Sequence, residues 1–189
     1  AVSPGTTVSR EVADLLFGNG DYADAVRQYT ALSATAQSDT DRRYDDAQAI
    51  VALFRSDDPA GAERDAALFA KKYRDTENEQ ALFELEKGSY HFRREEYGEA
   101  MKAFQRVADK FDDAPSAPTS VYWIAKTLEA TDHPAEAIQQ LETLLQKHPD
   151  APIIPRAHLA LGNLHYGKEK WDEAIKHYKM VVDDPNADP

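Results

Sequence analysis

The sequence predicts an all-α fold, a right-handed solenoid of five helical hairpins with about ten helices, and three observations predict it. One small residue keeps phase along the chain as Ala25, Ala62, Ala100, Ala137 and Ala174, at spacings of 37, 38, 37 and 37 residues. Beyond each of these anchors apolar residues return with a helical period, as in Met101, Phe104, Val107 and Phe111, or Ile138, Leu141, Leu144 and Leu145. Only eight Gly and ten Pro interrupt 189 residues, several of them at evident joints, so the regular elements are long.

Each unit reads as two helices. The column three residues before the anchor holds Tyr22, Pro59, Tyr97, Pro134 and Trp171 and marks the start of every second helix. Proline is tolerated at a first helical position, and Asp58 ahead of Pro59 is a good N-cap. The first helices are the amphipathic stretches 8–18, 44–54, 81–92, 120–130 and 156–166. Twelve residues before the anchor a small side chain, Ala13, Gly88, Ala125 or Gly162, lets the paired helices approach closely; Ile50 is the exception. Joints rich in Pro and Asp, residues 112–118 and 148–155, end one hairpin and restrain the next, because a residue before proline avoids the helical region. The repeats span roughly 6–38, 41–75, 78–113, 116–150 and 153–185 of a single domain, 1–189. A lone hairpin cannot bury its apolar face, so stacking of neighbours builds the core.

Composition narrows the function. The formal net charge of −12 repels phosphate backbones, and no basic patch offsets it, so no nucleic-acid partner is expected. No run of 18 apolar residues forms a transmembrane segment. The absence of Cys removes disulfides, thiolate nucleophiles and Cys-ligated zinc. Among the histidines, His158 and His165 share one face of a first helix, but both fall in packing columns and their spacing supplies no convergent third ligand, so no metal is expected. The acidic pairs at 45–46, 57–58, 112–113 and 183–184 cap helices and keep the surface soluble. No nucleophile elbow, phosphate loop, His-Glu-x-x-His or dinucleotide turn occurs, so neither an enzyme nor a bound cofactor is expected.

The second-helix pattern Trp/Tyr-x-x-Ala-Ile/Val/Met-x-x-Tyr/Phe and the first-helix run Leu161-Gly162-Asn163-Leu164-His165-Tyr166 resemble the tetratricopeptide repeat (TPR), from about residue 6 to about residue 184. The second repeat departs from the pattern, with Ala66 for the usual large residue and Ile50 for the small one. The longer units, with joints such as 110–115 and 147–152, resemble bacterial cell-envelope members of the family, of the outer-membrane assembly lipoprotein and Tol-Pal coordinator type. That resemblance implies a periplasmic or outer-membrane-associated protein, with a cytoplasmic one also open.

The resemblance further implies a concave wall built by first helices, at eighteen, fifteen, eleven and eight residues before each anchor. Those columns run from Thr7 to Tyr166 and supply the candidate partner-binding groove: Phe17, Tyr44, Phe54, Leu85, Phe92, Tyr122, Lys126, Arg156, Asn163 and Tyr166. Aromatic anchors in such a groove would hold a protein or peptide, and its cationic end would meet an acidic group. The column that should supply asparagines for a carboxylate clamp reads Asp14, Val51, Ser89, Lys126 and Asn163, so a chaperone-tail receptor is not expected. The expected function is a non-catalytic protein-interaction scaffold. The alternatives are a self-associating structural module, or an accessory domain cut from a larger protein, since no polar capping helix follows residues 182–189.

Overall fold

The computed structural model describes residues 9–183. Thr7, Val8 and the stretch from Asp184 to Pro189 lie outside the described residues, and with them the outer edges of the first and last predicted repeats. Among the described residues there are ten α-helices and no strand: α1 (Arg10–Asn19), α2 (Tyr22–Thr35), α3 (Asp39–Arg55), α4 (Pro59–Lys72), α5 (Glu77–Arg93), α6 (Tyr97–Lys110), α7 (Ala117–Ala130), α8 (Pro134–Lys147), α9 (Ile154–Gly167) and α10 (Trp171–Val182). All five second helices begin on the residues the sequence marks. The chain forms two compact units, Ala1–Tyr90 and His91–Pro189.

Local chemistry sets the helix starts. Ser9, Ser38 and Asp58 accept, through their side chains, the backbone N–H groups of Val12, Asp41 and Gly61, each closing an orphan donor of a first turn. With its cap in place, polar residues suffice for the opening turn of α3, which starts at Asp39, ahead of the apolar stripe at 44; α5 likewise starts early, at Glu77, ahead of the stripe at 81.

One geometry repeats in the turn inside every hairpin. The residue five before the anchor is left-handed each time: Gly20 (φ 86°), Asp57 (62°), Glu95 (61°), Asp132 (63°) and Glu169 (58°). The following amide closes the same long bond back over the helix end, from Asp21 to Leu16, Asp58 to Leu53, Glu96 to His91, His133 to Leu128 and Lys170 to His165. This is a Schellman stop, and glycine is its ordinary occupant. Here only the first turn uses it.

In the first unit α1 packs on α2, α2 on α3 and α3 on α4. Ala13, Ala25 and Tyr29 form one cluster with Ala49 and Ala52, while Ile50, Phe54, Ala62, Phe69 and Phe83 form a second. Successive first helices are also tied by arginines. Arg10 grips Asp45 with two hydrogen bonds (3.1 and 3.0 Å), Arg43 grips Glu79 (2.6 and 2.8 Å), and Arg55 grips Glu86 (3.0 and 2.6 Å). Asp45 and Glu86 are buried, so each guanidinium fork supplies the neutralising partner that a desolvated carboxylate requires.

In the second unit α6 packs on α7, α7 on α8, α8 on α9 and α9 on α10. Its core joins Ala125, Ala137, Leu141 and Leu144 to Ile153, Ala157, Leu161 and Leu164. Trp123 lies between Phe92, met edge-on at 5.0 Å, and Phe104, stacked at 6.0 Å. All five anchor alanines are 0 or 1% exposed, which explains why no larger residue occupies that column.

Candidate functional site

Of the ten groove residues expected from the sequence, four lie in the first unit, and two of those are closed to a partner. Phe54 (2% exposed) and Leu85 (8%) are core residues, which corrects their reading as open anchors. Phe54 belongs to the cluster of Phe69 and Phe83, so its column turns inward in this repeat. Phe17 is half-buried, edge-on to Tyr22 at 5.4 Å, with the Arg55 guanidinium 4.7 Å from its ring centre. Tyr44 is exposed but carries Arg10 over its face at 5.1 Å. Arg10 in turn bonds Asp41 (3.0 Å) and Asp45. Its arginines therefore already spend their charge on internal carboxylates.

The second unit is arranged differently. Phe92 and Tyr122 are half-buried against Trp123, and Lys126 pairs with Glu129 one turn on. The remaining three candidates lie on α9, where residues three or four apart share a face. Arg156, Leu159, Asn163 and Tyr166 form one stripe, and every member is exposed. The opposite stripe, Ala157, Ala160, Leu161 and Leu164, is buried and holds the helix to the core. Within the open stripe, the Tyr178 hydroxyl donates to Asn163 Oδ1 at 2.9 Å, and Tyr166 (59% exposed) stands edge-on to Trp171 (50% exposed) at 5.0 Å. Arg156 has no ion-pair partner among the described residues. Ten residues of helix separate Arg156 from Tyr166, about 15 Å of rise. This strip can bury an aromatic or aliphatic side chain beside a cation.

Two clefts lie elsewhere. One, of about 340 Å³, is lined by Ile50, Leu68, Phe69 and the Asp46–Lys72 ion pair; the other, of about 490 Å³, by Asp109, Asp113, Val121, Lys147 and His148 among others. None of the ten expected residues lines either. Among the described residues no three of His, Cys, Asp and Glu are placed to hold a metal ion, and no helix is long and apolar enough to cross a membrane.

Two overlapping stretches, residues 85–152 and 122–189, match the model of the tetratricopeptide repeat, and together they cover 85–189, more than half of the chain. The chain belongs to the tetratricopeptide repeat family. Solved structures agree on the TPR solenoid fold. The chain is similar to MamA (TM-score 0.58, 21% identity, covering 90% of this chain and 92% of that one). It is also similar to pilF of Pseudomonas aeruginosa (TM-score 0.65, 16% identity, 91% and 72%). A third likeness is to a putative kinesin light chain of Podosopora anserina with nearly identical TPR-like repeats (TM-score 0.60, 18% identity, 91% and 90%). At such identities the likeness shows the fold. No curated protein sequence matches. TPR membership is consistent with a scaffold that binds proteins.

Sequence reasoning passed over His177. The structure brings it against His158 and His165, which sequence spacing alone had left without a third group. The signal lay in the columns: sixteen and nine before the anchor and three after it face one another inside a hairpin, and in the last repeat all three hold histidine.

Proposed function

We propose that this TPR protein is a non-catalytic scaffold whose partner-binding surface is the outward stripe of α9, supported by Tyr122 and Phe92 in the same unit. The observation that carries this reading is the uninterrupted exposure of Arg156, Leu159, Asn163 and Tyr166, next to an equally exposed Trp171. The opposite side of α9 already holds the helix to the core, so Leu159 and Tyr166, with Trp171 of α10 beside them, keep apolar surface in water; a partner that covers them gains its burial. About 15 Å of stripe matches four or five residues of an extended segment. The fitting partner is a protein segment with an apolar or aromatic side chain at one end and a carboxylate at the other.

A photo-crosslinking amino acid placed at Leu159 or Tyr166 in the native host should capture one discrete partner, and the same group at Glu142, exposed on α8, should not. Tyr166→Ala and Arg156→Glu should each abolish that adduct. Equal capture from α8, or capture that survives both substitutions, rules the stripe out.

We further propose that the scaffold serves an assembly of the bacterial envelope. The support is the likeness of the Pro- and Asp-rich joints to envelope members of the family. Fractionation of cells carrying the full-length protein tests it, and recovery only with the cytosol contradicts it.

A second reading, self-association, draws support from α10. Trp171 and Ile175 are each 50% exposed and Val182 is 80% exposed, whereas the matching columns of α8, Pro134, Ile138 and Leu145, are half-covered. Light scattering over a range of concentrations decides it: a constant monomer mass refutes the reading.

A further inference from the structure

We propose that His158 and His177, packed against the buried ring of His165, form a proton-sensitive latch that holds α9 to α10 while the His158–His177 pair is neutral and releases it when that pair is charged. The three rings come from two helices. His158 Nδ1 lies 3.0 Å from His177 Nδ1, and the His177 ring stacks on that of His165, with planes 3° apart and centres 5.5 Å apart. His165 is 6% exposed, and its Nδ1 is buried with no hydrogen-bond partner.

The geometry restricts the protonation states. Two nitrogens 3.0 Å apart can share one hydrogen, with one ring donating and the other accepting. With both rings doubly protonated, two N–H groups point at each other and the bond is replaced by repulsion. A charge on His177 also faces the parallel ring of His165 across the stack. The groups that bear on His177 are His158 and His165 from α9 and Lys176 from α10 itself; all are bases, and no carboxylate is among them. Among the described residues the hydrogen bond of His177 goes to another imidazole, and Glu173, one turn earlier on α10, is exposed to water. Burial, and then these neighbouring charges, push His177 down to about 4, and burial pushes His158 down as well. Both rings are neutral at pH 7 and closed against each other.

The sign follows from linkage. A histidine held below its usual value in the folded state binds a proton more readily once the helices part, so acidification favours the open form. The effect begins near the ordinary histidine value of about 6.5 and grows as pH falls towards that of the closed latch. The latch is thus fully set above neutrality and weakens across the mildly acidic range. Because α9 carries the open stripe on its other side, release would also disorder the proposed partner surface, but the latch stands without that reading.

The test is amide hydrogen exchange of the whole protein, corrected for intrinsic rates, together with NMR titration of the histidine rings. Between pH 7 and pH 5 the amides of α9 and α10 should lose protection by at least about tenfold, one decade for each pH unit per proton taken up on opening. Those of α1 and α2, which contain no histidine, should change little. His177→Phe should flatten that dependence. If this variant does not fold, the ring titration of the unaltered protein decides instead: His177 should stay neutral well below pH 6. Titration of His177 at the ordinary value, or pH-independent protection of α9 and α10, overturns the latch whatever the partner surface does.

Discussion

A methyl group on Gly162 would fall 2.4 Å from the ring of Tyr178, so the present seat of that ring against α9 requires a position 162 without a side chain. The same two columns hold Ala13 with Tyr29 and Ala125 with Leu141, a small residue on the first helix under a large one on the second. Gly162→Ala would ordinarily stabilise a helix by about 1 kcal/mol. Here the clash dominates, and a net loss of about 2 kcal/mol is expected. Tyr178→Leu in the same chain should recover most of it. Urea denaturation of the two variants checks both.

The left-handed stops supply a second expectation. Glu95 and Glu169 hold φ values of 61° and 58° where a side chain costs about 1–2 kcal/mol. Glycine removes that cost but is more flexible when unfolded. Glu169→Gly should therefore raise stability by about 0.5–1 kcal/mol, whereas Glu173→Gly, inside α10, should lower it by about 1 kcal/mol. Thermal melting of the pair distinguishes turn geometry from a general effect of losing an acidic charge.

These two cases show what the sequence reveals and what it hides. The anchor column was legible because five alanines in phase leave no other explanation than close packing. The exchange in the second repeat was visible only as a departure: Ile50 and Ala66 reverse the usual sizes, and the structure places both at one cluster, where the larger residue of the first helix fills what the smaller one leaves. The turn geometry stayed hidden because Asp57, Glu95, Asp132 and Glu169 occupy a conformation that glycine usually advertises. Within the site, the α9 candidates came from the columns that the family resemblance implies, and the same columns hide the burial of Leu85 and of Phe54, because column position cannot say how far neighbouring rings such as Phe69 and Phe83 close over Phe54. His177 stayed hidden because it stands on the facing helix, and only closure of the hairpin brings it to His158 and His165.

The arginine ties of the first unit are charge pairs with one buried end. Arg55→Ala leaves Glu86, 6% exposed, without its two hydrogen bonds and strips the cation from the face of Phe17. Breaking one end of a buried pair costs about 3–5 kcal/mol, and the partial exposure of Arg55 lowers that to about 2–3 kcal/mol. Adding Glu86→Gln should restore part of the loss, since the uncompensated charge is then gone. A double-mutant cycle measured by chemical denaturation would show a coupling of at least about 1 kcal/mol; a coupling near zero would mean that Glu86 is stabilised by something other than Arg55.

Acid should act on α3 and α5 through Glu79. Burial pushes this carboxyl up, but the hydrogen bonds from Arg43 outweigh it and hold the group below its usual 4.5. Asp46 behaves alike: burial raises it, and the bonds from Lys72, Ser33 and Tyr73 bring it below its usual 3.8. A carboxyl lowered by folding stabilises the native state at every pH above its unfolded value, and that contribution disappears as pH falls through the folded one. The two groups therefore contribute fully from pH 7 to about pH 5 and withdraw below about 4.5. Arg43→Met removes the bonds and charge of the guanidinium and leaves burial, the largest influence, opposed only by a backbone hydrogen bond, so the folded value of Glu79 should rise above the unfolded one and the sign should invert. In that variant protonation of Glu79 favours the folded state, and the stability difference from the parent chain should shrink between pH 7 and pH 4. Denaturation at a series of pH values checks the inversion; a constant difference would mean that Arg43 contributes through packing rather than charge.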